Sequence, residues 1–165
     1  MKIIVKEIYL DKDIKEAFSI RRKVFVEGMN IPVEIELDKY DKIAHQIIAY
    51  VDEIPAGTAR WRKTKEGMKL ERFAVLPKFR LFGIGKALAE YILKTLKNEK
   101  NIYLNSQHTA IGFYEKLGFY KKGKSFKEAG ILHQKMFLKK INNSFFRIYN
   151  PILFVNNKRT YFKTF

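Results

Sequence analysis

A chain of 165 residues, 47% of them hydrophobic and none of them cysteine, has the length for one domain with a buried core and lacks both a disulfide framework and a cysteine nucleophile. Its 33 basic and 17 acidic residues leave a net charge of +16, which favours anionic partners such as nucleic acid, an acidic membrane surface or phosphorylated small molecules. No apolar run has the length of a membrane-spanning helix, and Met1–Glu7 is charged too early for a signal peptide, so a cytoplasmic location with no membrane partner is expected.

In chain order, Lys2 to Tyr9 is β-rich and predicts a strand. Asp11 or Asp13 can cap a helix whose apolar positions Ile14, Ala17, Phe18, Val24 and Phe25 recur with helical spacing up to Gly28. An acidic stretch follows, with Glu34, Glu36, Asp38 and Asp41. Ile43 to Val51 and Thr58 to Lys65 predict a hairpin around the turn at Glu53–Gly57, and Met68 to Leu76 a further strand. Ile84, Ala87, Leu88, Tyr91, Ile92 and Leu96 mark one face of a helix, the clearest period in the chain. Ile102–Asn105 predicts a short strand, Thr109–Leu117 a helix ended by Gly118, and Phe119–Lys121 and Leu132–Leu138 two closing strands. The order β-α-β-β-β-α-β-α-β-β predicts a mixed α/β sheet rather than an alternating dinucleotide fold. Residues 141–165 are rich in Asn and aromatic residues without a firm period. They can pack on the sheet, mediate self-association as in a homodimer, or form a poorly ordered extension to a domain spanning residues 1–140.

The run from Val75 to Ala87 carries the strongest functional signal. A strand leads into a turn with Gly83 and Gly85 and then into a helix. Glycines let backbone N–H groups approach a ligand, and a helix start adds orphan amides and a positive dipole end. Together they predict a cradle for the diphosphate of a nucleotide-like cofactor.

Arg80, Gly83 and Gly85 match a Q/R-x-x-G-x-G/A signature, and Phe113-Tyr114-Glu115-Lys116-Leu117-Gly118-Phe119 lies downstream. The pair of motifs resembles the GNAT superfamily of acyl-CoA N-acyltransferases. Arg21–Glu27, Ile31–Glu34, Ala59–Arg62, Leu70–Val75, Leu104–Gln107 and Ala129–Met136 are similar to its ElaA/YjcF-like branch. Gly28-Met29 and Leu132 depart from the pattern of that branch. The resemblance covers residues 1 to 140. It implies an α/β (α+β) fold with a mixed central sheet and helices on both faces, and an N-acetyltransferase using acetyl-CoA without a metal.

The resemblance further implies that the backbone of Leu81, Phe82, Gly83, Ile84, Gly85 and Lys86 holds the diphosphate, and that Arg80 pairs with a phosphate. It also implies that Phe73, Ala74 and Val75 pair with the pantetheine arm like an added strand. Tyr114 then stands where the family carries the tyrosine that protonates the departing thiolate; the plainer reading is a core aromatic. Glu71 is placed as a base; strand alternation puts it on the side of Phe73 and Val75, and an ion pair with Arg60 or Arg72 is the alternative. Asn105 and Gln107 can orient a water or the acceptor, or only cap a helix. His133 can act as a base or remain structural, His45 is read as structural and His108 as a cap; none has metal-ligand spacing.

On the acceptor side, Arg21, Phe25, Arg60 and Gln107 are candidate substrate contacts. The acidic stretch Glu34–Asp41 can attract a cationic amine or stand as a solvated loop. Arg21, Arg22, Arg60 and Arg62 instead suit an anionic acceptor such as an amino-sugar phosphate. Two rival classes remain: a CoA-binding sensor without catalysis, and a nucleic-acid-binding domain motivated by charge alone, for which no recognition motif is present.

Overall fold

Alternating apolar positions on one side of each strand and period-spaced apolar faces on the helices sort this chain into a sheet with helices on both sides. The structure is a computed structural model that describes residues 1–139. The expectation of a separate segment after residue 140 lies outside the described residues.

Strand β1 (Ile3–Ile8) leads into helix α1 (Asp11–Arg21), which continues as a π-helical segment over Arg22–Glu27 and stops at Gly28. The N-cap is Leu10, not Asp11 or Asp13; both aspartates lie inside the first turn, and Asp13 bonds Lys6 and Tyr50 instead. A short helix α2 (Val33–Glu36) and a 3₁₀ turn (Lys39–Lys42) occupy the acidic stretch. Then come β2 (His45–Val51), β3 (Ile54–Lys63), β4 (Met68–Val75) and helix α3 (Ile84–Thr95). The chain continues through β5 (Ile102–Gln107), α4 (Ile111–Lys116), β6 (Phe119–Lys121), β7 (Phe126–Glu128) and β8 (Ile131–Leu138). Strand β7 is absent from the predicted order, because three residues among lysines carry no period.

The sheet runs β1-β2-β3-β4-β5-β8-β6, with β7 added to the free half of β8. All pairings are antiparallel except β4 with β5. One face packs on α3 and α4, where Leu88, Ile92, Ile47, Ala59, Trp61 and Leu104 form the larger core. Leu88 and Ile92 are fully buried, so truncating either to Ala destabilises the fold by about 2–5 kcal/mol. The opposite face packs on α1, where Ala17, Ile20, Val24 and Phe25 meet Ile48 and Ala74. Among the described residues, no helix is long and apolar enough to cross a membrane.

Candidate active site

The parallel pairing of β4 with β5 ends at Leu70 and Leu104, although β4 runs on to Val75 and β5 to Gln107. The strands therefore diverge. Beyond Leu70 the edge of β4 that faces β5 has no strand partner among the described residues, so its backbone polar groups are open to a ligand. A cleft of about 560 Å³ passes through this gap and reaches both faces of the sheet.

A bulge decides which residues face which side. Arg72 has φ 58°, and the register of β3 on β4 slips between Thr58/Ala74 and Arg60/Glu71. The extra residue reverses the alternation. Phe73 and Val75 pack with the α3 core, while Glu71 sits opposite Arg60 on the α1 face. The expectation that Glu71 shares a side with Phe73 and Val75 is thus corrected.

On the α3 face lie the expected cofactor elements. Leu81 and Phe82 project into solvent, and Gly83, at φ 82°, serves as the N-cap of α3 with no side-chain cap. A Cβ on Gly83 would meet nothing within 4 Å, and one on Gly85 would come no closer than 3.5 Å to Phe113. By contrast, a Cβ on Gly57 would come within 2.9 Å of Ile84 and 3.0 Å of the Ala74 carbonyl. Packing within the protein therefore requires Gly57, leaves open space at Gly83, and at Gly85 would admit a Cβ in ordinary van der Waals contact with Phe113. The open cradle at the start of a twelve-residue helix fits a diphosphate. Arg80 lines the same cleft, its Nε 3.3 Å from the Val75 carbonyl, and Lys86 lies one turn into the helix. Tyr114 reaches the cleft from α4, edge-on to Phe73 at 5.9 Å between ring centres. Burial pushes its phenol well above the ordinary tyrosine range. No hydrogen bond holds its hydroxyl among the described residues.

On the α1 face, Asn105 and Gln107 project from β5, and His133 faces Gln107 across β8. The Gln107 amide lies 3.9 Å from the Met29 sulfur and makes no cap bond, so the capping alternative does not apply to it. Asn105 donates from Nδ2 to Glu128 at 3.4 Å, and its Oδ1 is buried without a partner among the described residues. His133 holds the Ile131 carbonyl through Nδ1 at 2.8 Å, and its ring stacks on Phe126. A carbonyl only accepts, so Nδ1 carries a proton, and in the neutral ring Nε2 is then an acceptor. Phe25 is buried and lines the cleft wall.

Below these residues lies an ion cluster. Arg21, 1% exposed, binds Glu36 and Asp41. Arg60, also 1% exposed, binds Asp38, Asp41 and Glu71. Arg62 and Lys69 complete the shell of Glu71, each at 3.0 Å. Arg72 ties Glu36 and Asp38 to β4. The acidic stretch is therefore not a solvated loop: three of its carboxylates pair with buried or half-buried guanidinium groups. Arg21 and Arg60 do not line the cleft, so the expectation that they contact substrate is corrected; they support its floor. Burial alone would push the Glu71 carboxyl up, but hydrogen bonds from Arg62 and Lys69 and the charges around it hold it below the ordinary carboxylate range. Burial likewise opposes ionisation of Asp38 and Asp41, and their arginine partners overcome it. At Glu36 burial wins, and its pKa stands above the usual value.

Sequence reasoning missed Lys69, Arg72 and Glu128 as cleft residues. Glu128 stands in a Glu-Ala-Gly turn, a signal for a hairpin tip that the flanking lysines obscure. His45, paired with Glu7 and stacked on Trp61, lies away from the cleft. His108 makes no cap bond and reaches Ser125 instead. Among the described residues, no group of histidine, aspartate and glutamate is arranged to hold a metal ion.

The sequence model of the acetyltransferase (GNAT) domain family matches residues 20–140. An N-acetyltransferase of Bacillus subtilis (strain 168), YjcF, is 35% identical over 129 residues, covering 76% of this chain and 92% of its own. The crystal structure of Escherichia coli ElaA superposes with a TM-score of 0.75 at 22% identity, covering 83% of this chain and 99% of that one. A Bacillus subtilis acetyltransferase solved in complex with CoA superposes with a TM-score of 0.63 at 18% identity, covering 83% of this chain and 98% of its own.

Proposed function

The chain belongs to the GNAT acetyltransferase family and is an acyl-CoA N-acyltransferase; from that premise we propose that it moves an acetyl group from acetyl-CoA to a primary amine of a small molecule, by direct attack in a ternary complex. The observation that carries this reading is the gap between β4 and β5. It joins an anion cradle on one face of the sheet to a polar, partly apolar chamber on the other. A donor on one side and an acceptor on the other can meet there without a covalent enzyme intermediate. The chain has no cysteine to form a thioester of its own.

The backbone of Leu81–Lys86 and the guanidinium of Arg80 hold the diphosphate, and the unpaired edge of Phe73–Val75 holds the extended arm. Bound there, acetyl-CoA supplies the activated acyl group. A backbone N–H near Val75 faces the developing oxyanion. Tyr114 stays protonated at neutral pH and directs its O–H toward the departing sulfur. On the acceptor side, both oxygens of Glu71 already accept hydrogen bonds from Arg60, Arg62 or Lys69. Glu71 thus orders the chamber floor, and Nε2 of His133 takes the proton from the amine. The acceptor is an amino-sugar phosphate or a polyamine-like amine.

The experiment is release of free thiol from acetyl-CoA across a panel of primary amines. Amine-dependent thiol release is expected. Acetyl-CoA binding with no thiol release for any amine would instead identify a sensor.

A further inference from the structure

The proposed transfer leaves the chemical class of the acceptor open, and the charges on the chamber wall decide it. Three cationic side chains line the cleft: Lys69, Arg72 and Arg80. Lys69 is held by Glu71 at 3.0 Å, and Arg72 by Glu36 and Asp38, both at 3.1 Å. Arg80 stands at the cradle, on the donor side. Among the described residues, an anionic acceptor thus finds no uncommitted Lys or Arg lining the α1 side of the cleft. To bind a phosphate there, Lys69 or Arg72 would have to leave a carboxylate buried without its partner, which is unfavourable.

The opposite holds for a cation. Glu128 lines the chamber at the β7–β8 turn and has no cationic partner within 4 Å among the described residues. Beside it, Oδ1 of Asn105 is a buried acceptor with nothing among the described residues to accept from. The Nδ2 contact to Glu128 fixes that orientation of the amide, with Oδ1 as the group left for a donor. Buried acceptors are normally satisfied, so an orphan one that lines a cleft marks where a ligand N–H belongs. Part of the remaining wall is apolar, from Phe25, Met29, Ile31 and Ile35.

The geometry points to an acceptor that is a cationic amine with an apolar body, its ammonium held by Glu128 and Asn105 Oδ1 and its hydrocarbon part laid against the Phe25–Ile35 wall. This rests on the acetyl-transfer reading and chooses between its two acceptor classes. A chain of net charge +16 thereby keeps a negative spot for its substrate.

The test compares kcat/KM for 1,4-diaminobutane, 2-phenylethylamine and glucosamine 6-phosphate at fixed acetyl-CoA. The two cationic amines are expected to exceed the phosphate by at least about tenfold, a difference of about 1.4 kcal/mol. Glu128→Gln is expected to raise the KM of both cationic amines about fivefold, at the scale of one partly exposed charge pair, with the KM of acetyl-CoA unchanged. Added salt is expected to raise the amine KM of the parent chain and not that of Glu128→Gln. Glu128 lies in an exposed turn, and an unfolding curve that matches the parent shows the variant intact. Preference for glucosamine 6-phosphate, or an amine KM indifferent to Glu128→Gln, would overturn the inference while leaving acetyl transfer standing. Thiol release with none of the amines, despite acetyl-CoA binding, would overturn both.

Discussion

The two faces of the cleft are made of different material. On the α3 face the cradle is backbone: the left-handed Gly83 with open space around it, Gly85, and the first amides of α3. On the α1 face the chamber is side chain: Arg21, Arg60 and Arg72 locked to Glu36, Asp38, Asp41 and Glu71. A backbone site depends on local conformation and accepts varied side chains. A buried ion cluster depends on every partner, because each group removed leaves another uncompensated. Donor binding is therefore sensitive to few positions, and the shape of the acceptor chamber to many.

The sharpest break of this contrast is Arg60→Ala. It removes a buried guanidinium from Asp38, Asp41 and Glu71 at once, leaving them only Arg72, Arg21, and Arg62 with Lys69, respectively, and a loss of about 3–5 kcal/mol in chemical denaturation is expected. A loss below about 1 kcal/mol, the scale of a surface pair, would show the cluster to be solvated.

Gly83→Asp strikes the other face. A carboxylate about 4 Å from a phosphate costs about 4 kcal/mol at an effective dielectric of about 20. Acetyl-CoA affinity in a calorimetric titration should fall about a thousandfold, while the fold loses only about 1–2 kcal/mol from the strain at φ 82°. Undiminished affinity would remove the cradle from the donor site.

Tyr114→Phe separates chemistry from both walls. The hydroxyl has no hydrogen bond to lose among the described residues, so stability and acetyl-CoA affinity should hold. Turnover should drop about 10²-fold, the lower end for a proton donor. Equal turnover would leave Tyr114 a packing residue.

The smallest effect is on pH. Asp38, Asp41 and Glu71 have folded-state pKa values below their unfolded ones. The unfolded chain then binds more protons in that window, so their stabilisation is complete above the unfolded values of about 4 and is lost as pH falls through the folded ones. Glu36, raised by burial, opposes the other three. Denaturation midpoints should be level near neutrality and decline on acidification below about pH 4. A midpoint that rises on acidification would make Glu36 dominant.

What could be read from sequence follows the same division. The turn from Arg80 to Gly85 and the stretch Phe113–Phe119 are local, and their spacing sets their conformation. The period of α3 placed its buried face correctly from Ile84 to Leu96. The bulge at Arg72 leaves no trace in a hydrophobic pattern, and it alone moves Glu71 across the sheet. The π-helical turns of Arg22–Glu27 keep an apolar spacing that passes for an α-helix. The acidic stretch looked solvated because its cations stand far away in sequence, 15 residues from Glu36 for Arg21 and 22 from Asp38 for Arg60.

The most direct test of the account follows both products at once, free thiol and N-acetylated amine, from acetyl-CoA and a panel of primary amines. The account predicts one thiol for each acetylated amine, with rates that depend on both substrates together and with both products lost in Gly83→Asp. Acetyl-CoA bound at the cradle while neither product forms would contradict it.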